Sequence, residues 1–188
     1  PHALVVLRDD YKTGLPTSSG LAAAPTFDQA LLSAILEVIE RDALMVSWLH
    51  GLSPDIIDQD DSFYSEVKSL NGEVIVLDLT PHKCPFPVIG VIGGIPRDGH
   101  MRYSLGVACK QTYEEAREKA YCEWAQGVFF AGVFQDYADV KSIDSWDDIA
   151  NFDDHAIYYT LHPEEWDSLP FLHGIHVDGP RQTGTARS

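Results

Sequence analysis

The hydrophobic residues between Thr26 and Leu49 recur with the period of an α-helix, and Thr26 followed by Gln29 is a capping-box pattern that predicts the helix start. Apolar side chains cover most of the predicted helix. Its polar side chains share one stripe of about 100°: Thr26, Gln29, Ser33, Glu37, Glu40 and Arg41. Because a helix that is apolar on most sides is buried, we expect the stripe to face a cleft rather than bulk water.

The rest of the chain alternates between strand and helix patterns. Strands are predicted at 73–80, at 88–92 with Gly93-Gly94 ending it, and at 101–109, the last being half-buried. Helices are predicted at 62–70 and 112–130, further strands at 2–7 and 170–177, and an irregular acidic stretch with a short helix near Trp146 at 136–154. We therefore expect a mixed α/β (α+β) fold with two long helices packed on a sheet.

Two acids of the polar stripe conflict with each other. Glu37 and Glu40 are three residues apart, so their charges repel unless a cation lies between them. A metal ion would resolve this conflict. An ordinary ion pair between Glu37 and Arg41, four residues apart, is the alternative, although it explains neither Glu40 nor Ser33.

The second long helix carries another carboxylate beside small residues. Glu123 lies next to Gln126, and Ala116, Ala120 and Gly127 share its side of the predicted helix. Small neighbours leave room for a ligand to approach Glu123. The alternative is a solvent-facing glutamate on a helix that packs closely behind it.

Together, the two helices supply the hard oxygen ligands that Mg2+ prefers beside waters and phosphate oxygens: Glu37, Glu40, Glu123 and Gln126. A small-residue loop precedes the first helix, and its Ser18 and Ser19 are candidate donors to phosphate or ribose. Arg41 is suited to balancing phosphate charge. Because the chain has no GxxxxGK[ST] loop and no GxGxxG after a strand, this would not be a common nucleotide-binding fold.

Charge and cysteine usage narrow the function classes. The chain of 188 residues has 29 acidic and 13 basic residues, which argues against nucleic acid or an anionic membrane surface as a partner. Its three cysteines form no CxxC pair, so a disulfide framework is not expected and a reducing cytoplasm fits. No apolar stretch reaches the length of a membrane span.

Several motifs resemble the YcaO-domain family, whose members are ATP-dependent enzymes that modify peptide backbone amides. The segment Ser33 to Arg41 fits the family motif Ser-x3-Glu-x2-Glu-Arg, and Glu123-x2-Gln126 resembles the motif of its second helix. The small-residue segment at 17–23 is also similar. Asp78-Leu79-Thr80 and the segment 152–159 resemble stretches of azoline-forming members. The resemblance spans about 15–172.

The resemblance implies an ATP and Mg2+ site between the two helices. Its nucleotide-binding residues would be Ser18, Ser19, Ser33, Glu37, Glu40, Arg41, Glu123 and Gln126, with Glu37, Glu40 and Glu123 as the Mg2+ ligands. The reaction would form thiazoline or oxazoline rings from Cys, Ser or Thr in a ribosomally made precursor peptide. A leader-binding protein or fused domain would select that peptide, and no catalytic residue is assigned.

The chain also departs from the family pattern. Ala116 and Lys119 stand where some members have a serine and a carboxylate, and no Pro-x-Pro-x-Pro tail is present. We therefore expect a partial YcaO-like domain over 1–178, with a flexible polar tail at 179–188 and an exposed surface that favours homo-oligomers. Thioamide or amidine formation, and a non-catalytic module that binds peptide or a partner protein, remain alternative functions.

Overall fold

The computed structural model describes residues 18–57, 62–97, 99–138, 143–150 and 152–172. It confirms the mixed α/β fold. Its elements are α1 (Phe27–His50), β1 (Asp55–Ile57), α2 (Ser62–Ser69), β2 (Glu73–Asp78), β3 (Val88–Arg97), β4 (His100–Cys109), α3 (Tyr113–Ala138) and α4 (Phe152–Leu161). Short 3-10 turns follow at Trp146–Asp148, Pro163–Ser168 and Pro170–Leu172. Within the described ranges, no helix is long and apolar enough to span a membrane.

Helix α1 begins and ends where its sequence signals predict. The Thr26 hydroxyl accepts a hydrogen bond from the Gln29 backbone N–H at 3.3 Å, which satisfies one free donor of the first turn. Gly51 ends the helix in the left-handed conformation with φ 59°, which a glycine adopts without steric cost. These two caps fix the direction in which α1 crosses the sheet.

The four described strands form one antiparallel sheet in the order β1-β2-β3-β4, which makes β1 and β4 its edges. Alternating residues of each strand point to opposite faces. One face packs on α1 through residues such as Leu77 and Val107, and the other packs on α2 and α3 through residues such as Val76 and Ala108. The two long helices therefore lie on opposite sides of the sheet.

Strand β3 does not end at Gly93-Gly94, as the sequence predicted, but continues to Arg97. A Cβ atom on Gly93, whose φ is 154°, would lie 2.0 Å from the Glu73 carbonyl oxygen. The glycine thus permits a close approach between neighbouring strands rather than a turn. The Gly93 carbonyl also accepts a hydrogen bond at 2.9 Å from the indole N–H of buried Trp124.

Strand β4 is buried on both faces over its second half, so the expectation of a half-buried strand was wrong there. Ser104 and Ala108 are as buried as Val107. A Cβ atom on Gly106 would lie 2.2 Å from the Ala120 carbonyl oxygen and 2.3 Å from the Trp124 backbone nitrogen. The glycine therefore lets the α3 backbone lie directly against β4.

Four further elements differ from the sequence expectation. The short strand β1 lies in a stretch for which no element was predicted, and α3 extends eight residues beyond Phe130. Helix α4 spans residues 152–161, where the sequence predicted no helix, and its aromatic rings pack with Trp146 and Trp166. A 3-10 turn takes the place of the predicted strand at Pro170–Leu172. The predicted strand at 2–7 and the tail at 179–188 lie outside the described residues.

Helix α1 is not buried on most sides. Its apolar side chains divide into a core-facing set, which includes Leu36 and Ala43, and a set that is exposed to solvent. We call the exposed set the outer stripe: Phe27, Leu31, Ile35, Val38, Met45, Val46 and Leu49. Because 24 residues of helix span about 36 Å, the outer stripe is a long apolar surface.

Candidate functional site

Two of the sequence-predicted acids, Glu40 of α1 and Glu123 of α3, lie within range of each other's charge near the end of edge strand β4. The carboxylate of Glu40 on α1 accepts a hydrogen bond at 3.0 Å from the Cys109 backbone N–H, the last residue of β4. Glu123 on α3 is close enough for its charge to act on Glu40. We call this pair and its neighbours the β4 edge site. It joins helices from opposite faces of the sheet around the open edge of β4.

Glu40 holds its proton more tightly than an ordinary glutamate. Burial is the main cause that raises the pKa of Glu40, and the negative charge of Glu123 raises it further. Three groups lower the pKa of Glu40 without cancelling these effects: the Cys109 N–H, Lys110 and Arg41. The Cys109 thiol responds similarly, since burial and the nearby Cys84 and Glu40 raise its pKa to about 11.

Glu37 is bound within the protein. One of its oxygens accepts a hydrogen bond at 3.1 Å from the Gly20 backbone N–H, and the other lies 2.9 Å from Nε of Arg41. Glu37 and Arg41 therefore form the i,i+4 ion pair that the sequence analysis gave as the alternative. Glu37 holds the small-residue loop against α1, where a Cβ atom on Gly20 would lie 3.1 Å from Val38.

Glu123 lies at the border between the packed and solvent-facing sides of α3. Its carboxylate is 3.0 Å from Nζ of Lys119, and both side chains are part-exposed. The small residues beside Glu123 do not leave room for a ligand, because β4 fills that space. Ala116 and Ala120 are fully buried, and a Cβ atom on Gly127 would lie 1.8 Å from the Ser104 hydroxyl.

The remaining predicted site residues lie at the surface. Gln126 is exposed one turn beyond Glu123, and Ser33 is exposed one turn before Glu37. Ser18 and Ser19 are exposed in the loop that Glu37 holds, where the Ser18 carbonyl accepts a hydrogen bond from Leu21 N–H at 3.0 Å. The structure thus places Glu40 and Glu123 within range of each other's charge. The predicted hydroxyl and amide groups of Ser18, Ser19, Ser33 and Gln126 are exposed to solvent.

The acids do not form a ready-made metal cage. Within the described ranges, no group of three His, Cys, Asp or Glu side chains is close enough together to hold a metal ion. Glu40 and Glu123 nevertheless fit Mg2+, which is often bound by one or two carboxylates with water and substrate phosphates as its other ligands. A cation between them would relieve the repulsion that raises the pKa of Glu40.

Sequence reasoning missed two contributors to the β4 edge site. Lys110 carries a positive charge near Glu40, and the Cys109 backbone N–H anchors the Glu40 carboxylate. A basic residue directly after a predicted strand was the available signal for Lys110. No residue-type pattern identifies a backbone donor, because every non-proline residue carries one.

Comparison with known families identifies the chain. The sequence model of the YcaO cyclodehydratase family, described as ATP- and Mg2+-binding, matches residues 1–187. The chain therefore belongs to the YcaO family, and the resemblance found in its motifs is confirmed. No curated protein sequence matches the chain.

Solved YcaO structures share the fold. A heterocyclase in complex with substrate and cofactor matches with a TM-score of 0.65 and 21% identity, over 92% of this chain and 22% of that one. The E. coli microcin synthetase McbBCD complex matches with a TM-score of 0.66 and 19% identity, over 92% and 46%. YcaO from Methanopyrus kandleri, bound with AMPPCP and Mg2+, matches with a TM-score of 0.54 and 25% identity, over 64% and 34%. The present chain thus spans less than half the length of these structures.

Proposed function

We propose that this chain contributes the ATP- and Mg2+-binding part of an enzyme that forms thiazoline or oxazoline rings in a ribosomally made precursor peptide. One observation carries the proposal: in a chain of the YcaO family, the part-buried Glu40 carboxylate accepts a hydrogen bond from the Cys109 N–H at the end of β4 and lies within range of the charge of Glu123. The substrate residues would be Cys, Ser or Thr.

The proposed roles follow from the geometry of each side chain. Glu37, Glu40 and Glu123 would be the Mg2+ ligands, and Glu37 would also hold the loop of Ser18 and Ser19 through the Gly20 N–H. Exposed Ser33 and Gln126 would contact the nucleotide at the edge of the site, and Arg41 would balance phosphate charge. Bound Mg2+–ATP would supply the phosphoryl group that makes the amide oxygen a leaving group.

Cation binding at Glu40 is coupled to the release of a proton from its carboxyl group. Burial and Glu123 raise the pKa of Glu40, so a cation that binds its carboxylate displaces a proton from a fraction of the molecules. The Cys109 N–H, which donates to the same carboxylate, favours the ionised form and holds one oxygen in place. Binding of Mg2+–ATP should therefore strengthen as pH rises through the titration of Glu40.

Two other functions fit the same site. Thioamide or amidine formation uses an external nucleophile, and no feature of the described residues selects between that nucleophile and a peptide side chain. A non-catalytic module that keeps the fold and binds a peptide or partner protein is the other alternative. If the wild-type chain does not bind Mg2+–ATP, the non-catalytic module is favoured over both enzymatic functions.

The proposed partners are a precursor peptide and a leader-binding protein or fused domain. Solved relatives include the McbBCD complex with pro-MccB17 bound, which supports this assignment by analogy. We further propose that copies of the chain associate through the outer stripe, because a long exposed apolar surface favours contact with another copy. Light scattering should show a smaller average mass for Leu31→Glu/Leu49→Glu than for wild type. The cysteine usage favours a cytoplasmic location.

Calorimetric titration of ATP with and without Mg2+ tests the nucleotide site. We expect Mg2+-dependent binding that weakens about 100-fold in Glu40→Gln/Glu123→Gln, because both charged ligands are removed while helix propensity is kept. Glu118→Gln, an exposed residue of α3, is the matched control. Equal affinities in the double variant and wild type would remove these acids from the site.

Peptide modification tests the reaction itself. Incubation of a Cys-containing precursor peptide with ATP, Mg2+ and the chain should give no ring without a complementary protein, since only part of the fold is present. Addition of a leader-binding partner and the rest of a YcaO fold should produce a mass loss of about 18 Da per ring, the mass of one water. Sulfur incorporation instead of water loss would point to thioamide formation.

A further inference from the structure

Within the solvent-facing side of α1, six exposed positions follow a stricter spacing than the outer stripe as a whole. They recur at alternating intervals of four and three residues, and we call them the α1 seam: Leu31, Ile35, Val38, Asp42, Met45 and Leu49. At about 100° per residue, they fall within about 80° of the helix circumference. This alternation is the heptad spacing through which one helix packs along another. The α1 seam therefore fits another helix.

The α1 seam lies on the side of the helix that faces away from the sheet. Leu36 and Ala43 are buried on the opposite side, and Glu40 also turns toward β4 there. The loop before α1 leaves the seam open: Gly20 passes so close to Val38 that a Cβ atom on it would lie 3.1 Å from Cγ2, yet Val38 remains 49% exposed. A second helix can therefore pack on the seam without disturbing the β4 edge site.

The six seam positions are symmetric about residue 40. Three pairs lie at equal distances on its two sides: Leu31 with Leu49, Ile35 with Met45, and Val38 with Asp42. In an antiparallel pair of identical helices with a two-fold axis at this point, each position faces its mirror position on the other copy. Four of the five apolar positions then meet an apolar side chain. Such symmetry is what a second copy requires and an unrelated helix does not, which favours a second copy as the occupant.

The charged residues beside this axis favour an antiparallel copy over a parallel one. In a parallel pair, the Asp42 carboxylates of the two copies would face each other and repel. In the antiparallel pair Asp42 faces Val38, and Arg41 of each copy lies next to Asp42 of the other, which makes the charges complementary. Arg41 is 54% exposed and bonds Glu37 through Nε. A single polar residue in an apolar seam fixes the register of paired helices at a cost in stability, and Asp42 suits that role.

We propose that two copies of the chain pair through their α1 seams as antiparallel helices, with the two-fold axis beside residue 40. This orientation and register rest on the association through the outer stripe proposed above, and they do not depend on nucleotide binding. Because Glu40 points away from the seam, the β4 edge sites of the two copies face away from the contact. Each site therefore stays accessible to nucleotide in the pair.

Disulfide cross-linking tests the orientation. Ile35→Cys and Met45→Cys are made as separate variants in a Cys122→Ser background, which removes the exposed cysteine of α3. An oxidised equimolar mixture should give a covalent dimer that joins position 35 of one copy to position 45 of the other, as identified by peptide mass spectrometry. Each variant oxidised alone should give several-fold less dimer. Glu118→Cys, on the exposed side of α3, measures cross-linking by random collision.

Substitution of the polar seam residue tests the register. Asp42→Leu should lower the dissociation constant of the pair about tenfold, because an apolar side chain replaces a charge within the contact. Glu118→Leu makes the same change on the exposed side of α3 and should leave the dissociation constant within about twofold. Analytical ultracentrifugation measures both constants, and an equal change in the two variants would overturn the register.

The outcomes separate the orientation from the association itself. Cross-linking of Ile35→Cys and of Met45→Cys alone, without the mixed product, would show a parallel pair and overturn the orientation, while the association would stand. A wild-type chain that remains monomeric at about 1 mM would overturn both. These measurements use no ATP, so their outcome is also separate from that of the nucleotide experiments.

Discussion

The β4 edge site and a second acidic region, which we call the Asp cluster, both bring a carboxylate of α1 near carboxylates of other elements. The Asp cluster consists of Asp42 of α1 and of Asp55 and Asp78, which are paired across strands β1 and β2. Glu40 is part-buried, anchored by a backbone N–H and has a raised pKa. Asp42, Asp55 and Asp78 are exposed around an open cavity. Burial therefore adds a desolvation cost to the charged form of Glu40 that the exposed carboxylates do not carry.

The two regions also differ in what supports them. The β4 edge site requires α3 to lie against β4, whereas the Asp cluster is built from α1, β1 and β2. Changes in the α3 packing should therefore disrupt the first region and spare the second.

The largest effect is expected from Gly106→Ala. The added methyl group would lie 2.2 Å from the Ala120 carbonyl oxygen and 2.3 Å from the Trp124 backbone nitrogen, neither of which can move without shifting α3. We expect the free energy of unfolding to fall by about 3 kcal/mol. Urea unfolding followed by circular dichroism measures this change.

Gly90→Ala is the matched control for Gly106→Ala. Both glycines lie within strands of the same sheet, but a Cβ atom on Gly90 would meet the end of the Leu79 side chain at 3.0 Å. Because that side chain can rotate, we expect a smaller loss of about 1 kcal/mol. Equal losses in the two variants would contradict the argument that α3 backbone contact is the limiting feature.

The next effect concerns the pH dependence of stability. The pKa of Glu40 is raised in the folded state, so protonated Glu40 favours folding. This contribution to the free energy of unfolding is fully present below the ordinary carboxyl pKa and is lost as pH rises through the raised pKa. Glu40→Gln cannot ionise and keeps an oxygen for the Cys109 N–H. Its melting temperature should exceed that of wild type by a few degrees at pH 8, and the difference should disappear near pH 4.

Glu118→Gln serves as the control in this pH series, because Glu118 is exposed on α3. A constant offset between Glu40→Gln and wild type across the pH range would show that ionisation of Glu40 is not the cause.

The two regions should also differ, by a smaller amount, in how strongly salt changes their electrostatic interactions. Charges exposed to solvent are screened strongly when ionic strength rises from 0.05 to about 0.5 M, whereas part-buried charges are screened less. We expect Asp55→Asn to raise the melting temperature at low salt, because it removes the repulsion from Asp78, and to raise it less at high salt. The pH-dependent stability difference between Glu40→Gln and wild type should change less, and differential scanning fluorimetry can follow it.

The smallest effect is expected from Arg41→Gln. The Glu37–Arg41 pair is spaced i,i+4, and the Arg41 side chain is 54% exposed. Such pairs contribute about 0.3–0.5 kcal/mol, so the variant should unfold at nearly the wild-type urea concentration. A loss above about 1 kcal/mol would show that the Gly20 loop depends on this pair.

The sequence was most informative where local signals act alone. Period and capping residues predicted α1 nearly to its ends, and the family motifs singled out Glu40 and Glu123, whose charges the structure places within range of each other. These features depend on residues close together in the chain or on a stretch that matches a known family.

What the sequence did not predict depends on contacts between distant segments. Gly93 reads as a strand terminator, yet it lies within β3 because the Glu73 carbonyl approaches it closely. The small residues near Glu123 read as open space, yet they seat α3 on β4. The outer stripe read as core because periodicity shows that a face is apolar but not whether another surface covers it.

The hydrogen bond from Cys109 to Glu40 provides a spectroscopic probe of the site. An amide proton that donates to a carboxylate resonates downfield and moves when that carboxylate gains a proton. The chemical shift of the Cys109 amide should therefore trace the titration of Glu40 directly, without any nucleotide present. A cation that draws the same carboxylate toward Glu123 would change that shift, so one resolved signal would report both protonation and metal arrival.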